Sequence, residues 1–198
     1  MVSDAARLGA AGHYIAPDIF ENLLGHLPER LWPFFTFLYA TSCRIGAAKK
    51  ITWSMLNEKR DFISLSGRIV KSRKPLTIVL DGAQLQPMAA MLRKMFANAD
   101  QPVFNIANYR VERERAATET GIGVRDKNRC HSGAQIHDLR VSGAVNMVEA
   151  SVPEDTVMKI DGWKTRAMFS RYNVHDVKRI REAMVKAGQH VQRQARAV

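Results

Sequence analysis

A chain of 198 residues, 46% of them hydrophobic, suits a single domain with a sizeable core. Its longest apolar stretch, residues 31–40, contains Pro33 and falls well short of the roughly 20 residues a membrane helix needs. The first residues, Met1, Val2, Ser3 and Asp4, lack the basic start and apolar run of a signal peptide, so a soluble, cytoplasmic protein is expected. The formal net charge of +11 predicts a polyanionic partner, and no lipidation signal or amphipathic anchor favours a membrane in that role.

In chain order, residues 1–16 read as a flexible lead-in. Ala16, Pro17 and Asp18 open a helix in which Ile19, Leu23 and Leu24 fall at helical spacing. Residues 29–39 form a second, apolar helix with Pro33 in its first turn. Ser42-Cys43-Arg44-Ile45-Gly46 interrupts the pattern, and a short helix follows over 47–51. Alternation at Phe62 and Ser64, then at Ile69 and Val70, with Ser66-Gly67 as a hairpin turn, predicts two strands. Residues 71–75 form a second, basic turn, and 76–80 a third strand. The expected architecture is therefore mixed: mainly α, with a small three-stranded antiparallel β-sheet.

Helical periodicity resumes over 84–96, with Leu85, Met88, Met91, Leu92 and Met95 on one face. Residues 108–119 read as a charged surface helix and 121–133 as a loop. A strong helix is expected over 134–150, and another from Pro153 to near Asp161-Gly162. Residues 167–172 are ambiguous, and 177–194 close the chain as a basic amphipathic helix. Cys43 and Cys130 show no paired spacing, so reduced thiols are expected. Cys130-His131 with His137 lacks the second ligand pair of a zinc site, and no metal is expected.

Four features carry chemical interest. Arg44 stands between apolar helices, and Lys71 lies in the sheet turn. His137-Asp138-Leu139-Arg140 places His137 and Arg140 on one helical face. Gly162-Trp163 precedes Tyr172 by nine residues, counted from Trp163. Each has an ordinary structural explanation: a helix-capping arginine, a solvated turn lysine, a surface ion network, a core tryptophan and a half-buried tyrosine.

In this order, however, they resemble the tyrosine recombinase (phage integrase) family. Its pattern is an arginine in a T-G-x-R-x-x-E-like motif, a lysine in a β-turn, an H-x-L-R motif, G-H or G-W, and a nucleophilic tyrosine. The matching residues are Arg44, Lys71, His137, Arg140, Trp163 and Tyr172, with 27 residues from Arg44 to Lys71 and 23 from Arg140 to Trp163. The match spans roughly residues 17–190.

The resemblance implies the recombinase catalytic-domain fold over 17–198, double-stranded DNA as partner, a nucleoid-associated location and no cofactor or metal. It also implies a monomer that assembles into a tetrameric synapse on DNA. Arg44 and Arg140 would clamp the non-bridging phosphate oxygens, His137 would handle the tyrosine proton, and Lys71 would be the general acid. Trp163 would donate to a phosphate oxygen, and Tyr172 would form a 3′-phosphotyrosyl bond. The C-terminal helix would dock on a neighbouring protomer, or pack in cis in the isolated chain.

Two departures stand out. Ala47 occupies the place where the family pattern has an acidic residue supporting the first arginine. Lys74 shares the turn with Lys71, although the register to Ile78, Val79 and Leu80 favours Lys71. The family's N-terminal helical domain of about a hundred residues is not expected within this sequence. A lone catalytic domain would bind weakly, through phosphate contacts sensitive to salt. Competing readings are a type IB topoisomerase-like enzyme and a DNA-binding module or regulator weakened in catalysis.

Overall fold

The apolar run at residues 31–40 becomes the element around which the rest is arranged. In the computed structural model, which describes residues 14–71, 73–95, 98–125, 131–163, 165–170, 184–189 and 192, helix α1 spans Pro17–Gly25. A 3-10 turn over Glu29–Leu31 leads into α2, Trp32–Thr41. Phe34, Phe35, Phe37, Leu38 and Tyr39 of α2 are all buried. They cover rather more than half of the helix circumference, while Trp32, Pro33, Thr36 and Ala40 on the remaining face keep some exposure, so α2 is embedded in the core with one side near the surface. Phe20 of α1 stacks on Tyr39 with ring centroids 3.9 Å apart. Proline opens both helices at the position where a missing N–H costs nothing.

The N-terminal boundary falls earlier than expected. Ile15, assigned to the lead-in from sequence, is 1% exposed. Its N–H donates to Ser142 Oγ at 2.8 Å, and its carbonyl accepts from the Tyr39 hydroxyl at 3.0 Å. Tyr14 adds a hydroxyl bond to Asn146 Oδ1 at 2.9 Å.

Helix α3, Ile45–Ala48, is shorter than predicted and starts at Arg44 as its N-cap residue. The sheet also differs. Strand β1, Phe62–Leu65, pairs antiparallel with β2, Leu76–Val79, in the register Phe62–Val79 to Leu65–Leu76. Among the described residues this sheet has two strands, not three. Ile69 and Val70 sit in turns, with Ile69 N–H donating to Ser66 O and Arg73 N–H donating to Val70 O. Val70 is buried as an apolar plug rather than as a strand residue.

Helix α4, Gln86–Lys94, buries Met88, Ala89 and Leu92, while Met91 and Met95 remain exposed. Helix α5, Tyr109–Glu119, is charged outward but buries Tyr109, Arg113, Ala116 and Ala117. On its outer face Arg115 pairs with Glu119 at 2.8 Å, an exposed contact that solvent and salt screen.

The segment read as a loop over 121–133 contains a hairpin of β3, Gly123–Arg125, and β4, His131–Gly133. Helix α6, Ile136–Glu149, follows behind a capping box. In it the Gln135 side chain accepts from residue 138 while the Asp138 carboxylate accepts from Gln135 N–H at 2.6 Å. Helix α7, Glu154–Asp161, ends at Gly162 in the left-handed conformation expected of such a cap. Helix α8, Arg166–Ser170, resolves the ambiguous stretch up to residue 170. The predicted C-terminal helix over 177–194 lies largely outside the described residues, of which 184–189 are helical and exposed. Among the described residues no helix is long and apolar enough to cross a membrane.

Candidate active site

The site is built where α6 crosses α2. Gly143 lets the two backbones meet: a Cβ there would lie 2.4 Å from Tyr39 O and 2.6 Å from Ser42 Oγ. Ser42 ends α2 in the left-handed region at φ 52°, which turns the chain sharply toward Arg44. Its hydroxyl donates to Arg140 O at 2.9 Å, and the Arg140 guanidinium donates back to Ser42 O through Nη1. The segment carrying Arg44 is thereby tied to the helix carrying His137 and Arg140.

A third segment joins at the end of α7. Arg140 Nη2 donates to Asp161 O at 2.8 Å, and Arg44 Nη1 reaches the same carbonyl at 3.4 Å. That carbonyl lies in the last turn of α7, where carbonyls lack helical partners and the dipole attracts cations. Arg140 also lies with its Cζ 5.6 Å from the Trp163 ring centroid. Trp163 packs edge-on to Phe169 at 6.0 Å, inside a small core formed with Ala144, Val148 and Val157. Phe169 thus anchors α8 three residues before Tyr172, which itself lies outside the described residues.

In front of this network lies an open cleft of about 1130 Å³. Arg44, Lys71 and His137 line it, brought together from the start of α3, the β1–β2 connection and the first turn of α6. Arg140 and Trp163 sit one layer behind, 5% and 8% exposed. Lys50, Arg68 and Arg73 also line the cleft. Arg68 and Arg73 stand far from Lys50 and Arg44 in sequence, and only folding brings all of them to the same cleft. The connection holding Lys71 is folded tightly on itself, since a Cβ on Gly67 would sit 2.5 Å from Arg73 O. Lys74, on the same connection, is exposed and not part of the cleft lining.

Asp161 is the residue that sequence reading missed. Its side chain is fully buried, and Oδ1 lies 3.5 Å from Arg140 Nη1. Neither carboxylate oxygen has a hydrogen-bond partner among the described residues. Burial pushes its carboxyl up to about 7, against the pull of Arg140, Arg44 and the Ser42 side chain. Cys43, buried beside them, has its thiol pushed up to about 12 by burial, which outweighs both arginines. A thiol so placed is unreactive. The only sequence signal for Asp161 was an acidic residue at the C-terminal end of a helix, where the dipole disfavours it.

The phage integrase family model matches residues 14–179. The chain belongs to the phage integrase family. None of the curated protein sequences compared with it matches. Among solved structures, the fold is similar to XerA recombinase, with a TM-score of 0.62 and 16% identity over 88% of this chain and 65% of that one. It is also similar to the catalytic domain of bacteriophage HP1 integrase, with a TM-score of 0.57 and 18% identity over 80% and 85% of the two chains. A third similar structure is the Tn1549 transposon integrase in complex with circular intermediate DNA, with a TM-score of 0.59 and 14% identity over 86% and 64%. This integrase-family chain thus spans most of the HP1 catalytic domain but under two thirds of the XerA and Tn1549 chains.

Proposed function

We propose that this chain is the catalytic domain of a site-specific tyrosine recombinase, cleaving and rejoining double-stranded DNA through a covalent bond to Tyr172. The observation that carries the reading is the shared cleft. Arg44, Lys71 and His137, far apart in sequence, line one cavity together with three further cations. A phosphodiester is shielded by its anionic oxygens, and in-line attack concentrates negative charge in the transition state. Fixed cations aimed at that charge are the main catalytic device available to such a site.

Arg44 contacts a non-bridging oxygen from the cleft wall, with the fork geometry that lysine lacks. Arg140 presents its charge to the same phosphate from one layer deeper, locked by Ser42 O and Asp161 O. Trp163 supports Arg140 and the segment leading to Tyr172. The Tyr172 phenol, whose ordinary pKa is ~10, gives its proton to His137 as its oxygen attacks phosphorus. The bond from phosphorus to the sugar 5′-oxygen breaks, and Lys71 supplies the proton that this oxygen needs. The product is a 3′-phosphotyrosyl bond and a free 5′-hydroxyl. Attack by a 5′-hydroxyl of another strand reverses the step with the bond energy conserved.

Lys50, Arg68 and Arg73 hold flanking phosphates, which positions the duplex without reading its sequence. On DNA, four protomers form the synapse, with the C-terminal helix bridging neighbours. The test is a nicked suicide duplex whose cleaved 5′ fragment diffuses away. Wild-type protein is expected to give a covalent adduct on a denaturing gel, and Tyr172→Phe none. Equal adduct from both would remove Tyr172 from the scheme, and no adduct from either would favour a DNA-binding module without catalysis.

A further inference from the structure

We infer that Asp161 is the positioning residue that holds Arg44 and Arg140 in one arrangement, its carbonyl shared by the two guanidinium groups and its buried carboxylate facing Arg140. The inference rests on the recombinase reading above for its catalytic consequence, but its structural part stands alone.

Three observations point to it. Asp161 brings both arginines to one backbone atom, its own carbonyl. Its carboxylate is closed to solvent and faces Arg140 Nη1 at 3.5 Å. Such a group is costly to bury unless a cation repays the lost hydration, and Arg140 is the cation paired with it among the described residues. Its position at the end of α7 adds to that cost, because the helix dipole places partial negative charge there. Arg140 offsets part of that cost, and the attraction between the two groups holds its guanidinium in place. Position 47, directly after the first arginine's turn, offers only the buried methyl of Ala47. The negative charge that organises this pair therefore comes from α7, not from α3.

Asp161 neither lines the cleft nor touches the reacting atoms, so its effect passes through Arg44 and Arg140. The experiment compares wild type with Asp161→Asn at pH 8 on three readouts. These are the saturating rate of covalent attachment to the nicked duplex, the affinity for that duplex, and the Nε–H NMR signal of Arg140, assigned by its loss in Arg140→Lys. The cleft cations remain, so affinity is expected to stay within about threefold. Attachment is expected to slow by about 100-fold, as for a misplaced catalytic group, and the Arg140 signal to shift and exchange faster with solvent.

An attachment rate within twofold of wild type overturns the inference. So does a loss of affinity equal to the loss of rate with an unchanged Arg140 signal. If wild-type protein forms no adduct, the recombinase reading fails separately, and the Arg140 signal alone decides: unchanged in Asp161→Asn, the inference is wrong. Should that variant not fold, Asp161→Ser is read in the same way. Should neither fold, wild-type Arg140 exchanging as fast as a free arginine would overturn it, and slow exchange would support it.

Discussion

Arg140 Nη1 and Asp161 Oδ1 lie 3.5 Å apart in a place that solvent does not reach, with side-chain exposures of 7% and 0%. This pair joins α6 to the end of α7, and through Ser42 to the segment bearing Arg44. The layer of paired groups behind the cleft is what gives the open wall in front of it a fixed shape.

The pair makes stability depend on pH in a defined direction. Burial raises the Asp161 carboxyl from its ordinary 3.8 to about 7. Between those values the folded state keeps a proton that the unfolded state releases, so the contribution is fully present at low pH and is lost as pH rises to about 7. The urea midpoint of wild type should therefore fall more between pH 5.5 and pH 8.5 than that of Asp161→Asn. Identical falls in the two proteins would show that Asp161 ionises normally.

Gly143 should not tolerate a side chain. The Cβ of Gly143→Ala would meet Tyr39 O and Ser42 Oγ well inside contact distance, and the first of these is backbone that cannot rotate away. Overpacking of this kind costs about 1–3 kcal/mol. Urea unfolding should show that loss, and covalent attachment should slow because Arg140 and Ser42 are pulled apart. A variant within about 0.5 kcal/mol of wild type, the error of such comparisons, would contradict the close approach.

The two lysines of the β1–β2 connection should separate cleanly. Lys71→Ala is expected to slow cleavage of an ordinary phosphodiester by about 10²–10⁴-fold, the usual worth of a general acid. A substrate with sulfur in place of the bridging 5′-oxygen leaves without a proton and should restore the rate. Lys74→Ala should stay within about threefold, since Lys74 is outside the cleft lining. Sulfur failing to rescue Lys71→Ala would remove the general-acid role.

The cleft wall predicts a salt signature. Replacing Lys50, Arg68 or Arg73 by alanine should each lower the slope of log affinity against log salt by about 0.9, with similar loss on any duplex sequence. A loss confined to one target sequence would instead make the residue a base reader.

Much of the fold was legible because helical periodicity is a long signal. The apolar run at 31–40 and the Pro153 to Gly162 helix carry their start and stop residues with them. Short elements were not legible. Ile69 and Val70 offered two apolar residues, enough to suggest a strand and too few to distinguish one from a buried plug. The β3–β4 hairpin is made of Gly, Val, Arg, His and Ser, a composition that reads as loop until pairing supplies its hydrogen bonds. In the site, Arg44, Lys71 and His137 stood out through their resemblance to the family pattern, and all three line one cleft. That Arg140 and Trp163 form an inner layer was not legible, because burial of a polar group depends on partners from distant segments. Asp161 was hidden for the same reason: its partner Arg140 is 21 residues away.

The proposed bond between Tyr172 and DNA can be located directly. A nicked duplex carrying a radiolabel on the scissile phosphate would be incubated with wild-type protein, digested with nuclease and protease, and the labelled peptide sequenced. One labelled peptide is expected, with the phosphate on Tyr172 and bonded to the 3′ side of the break. Label on any other residue, or on the 5′ side, would contradict it.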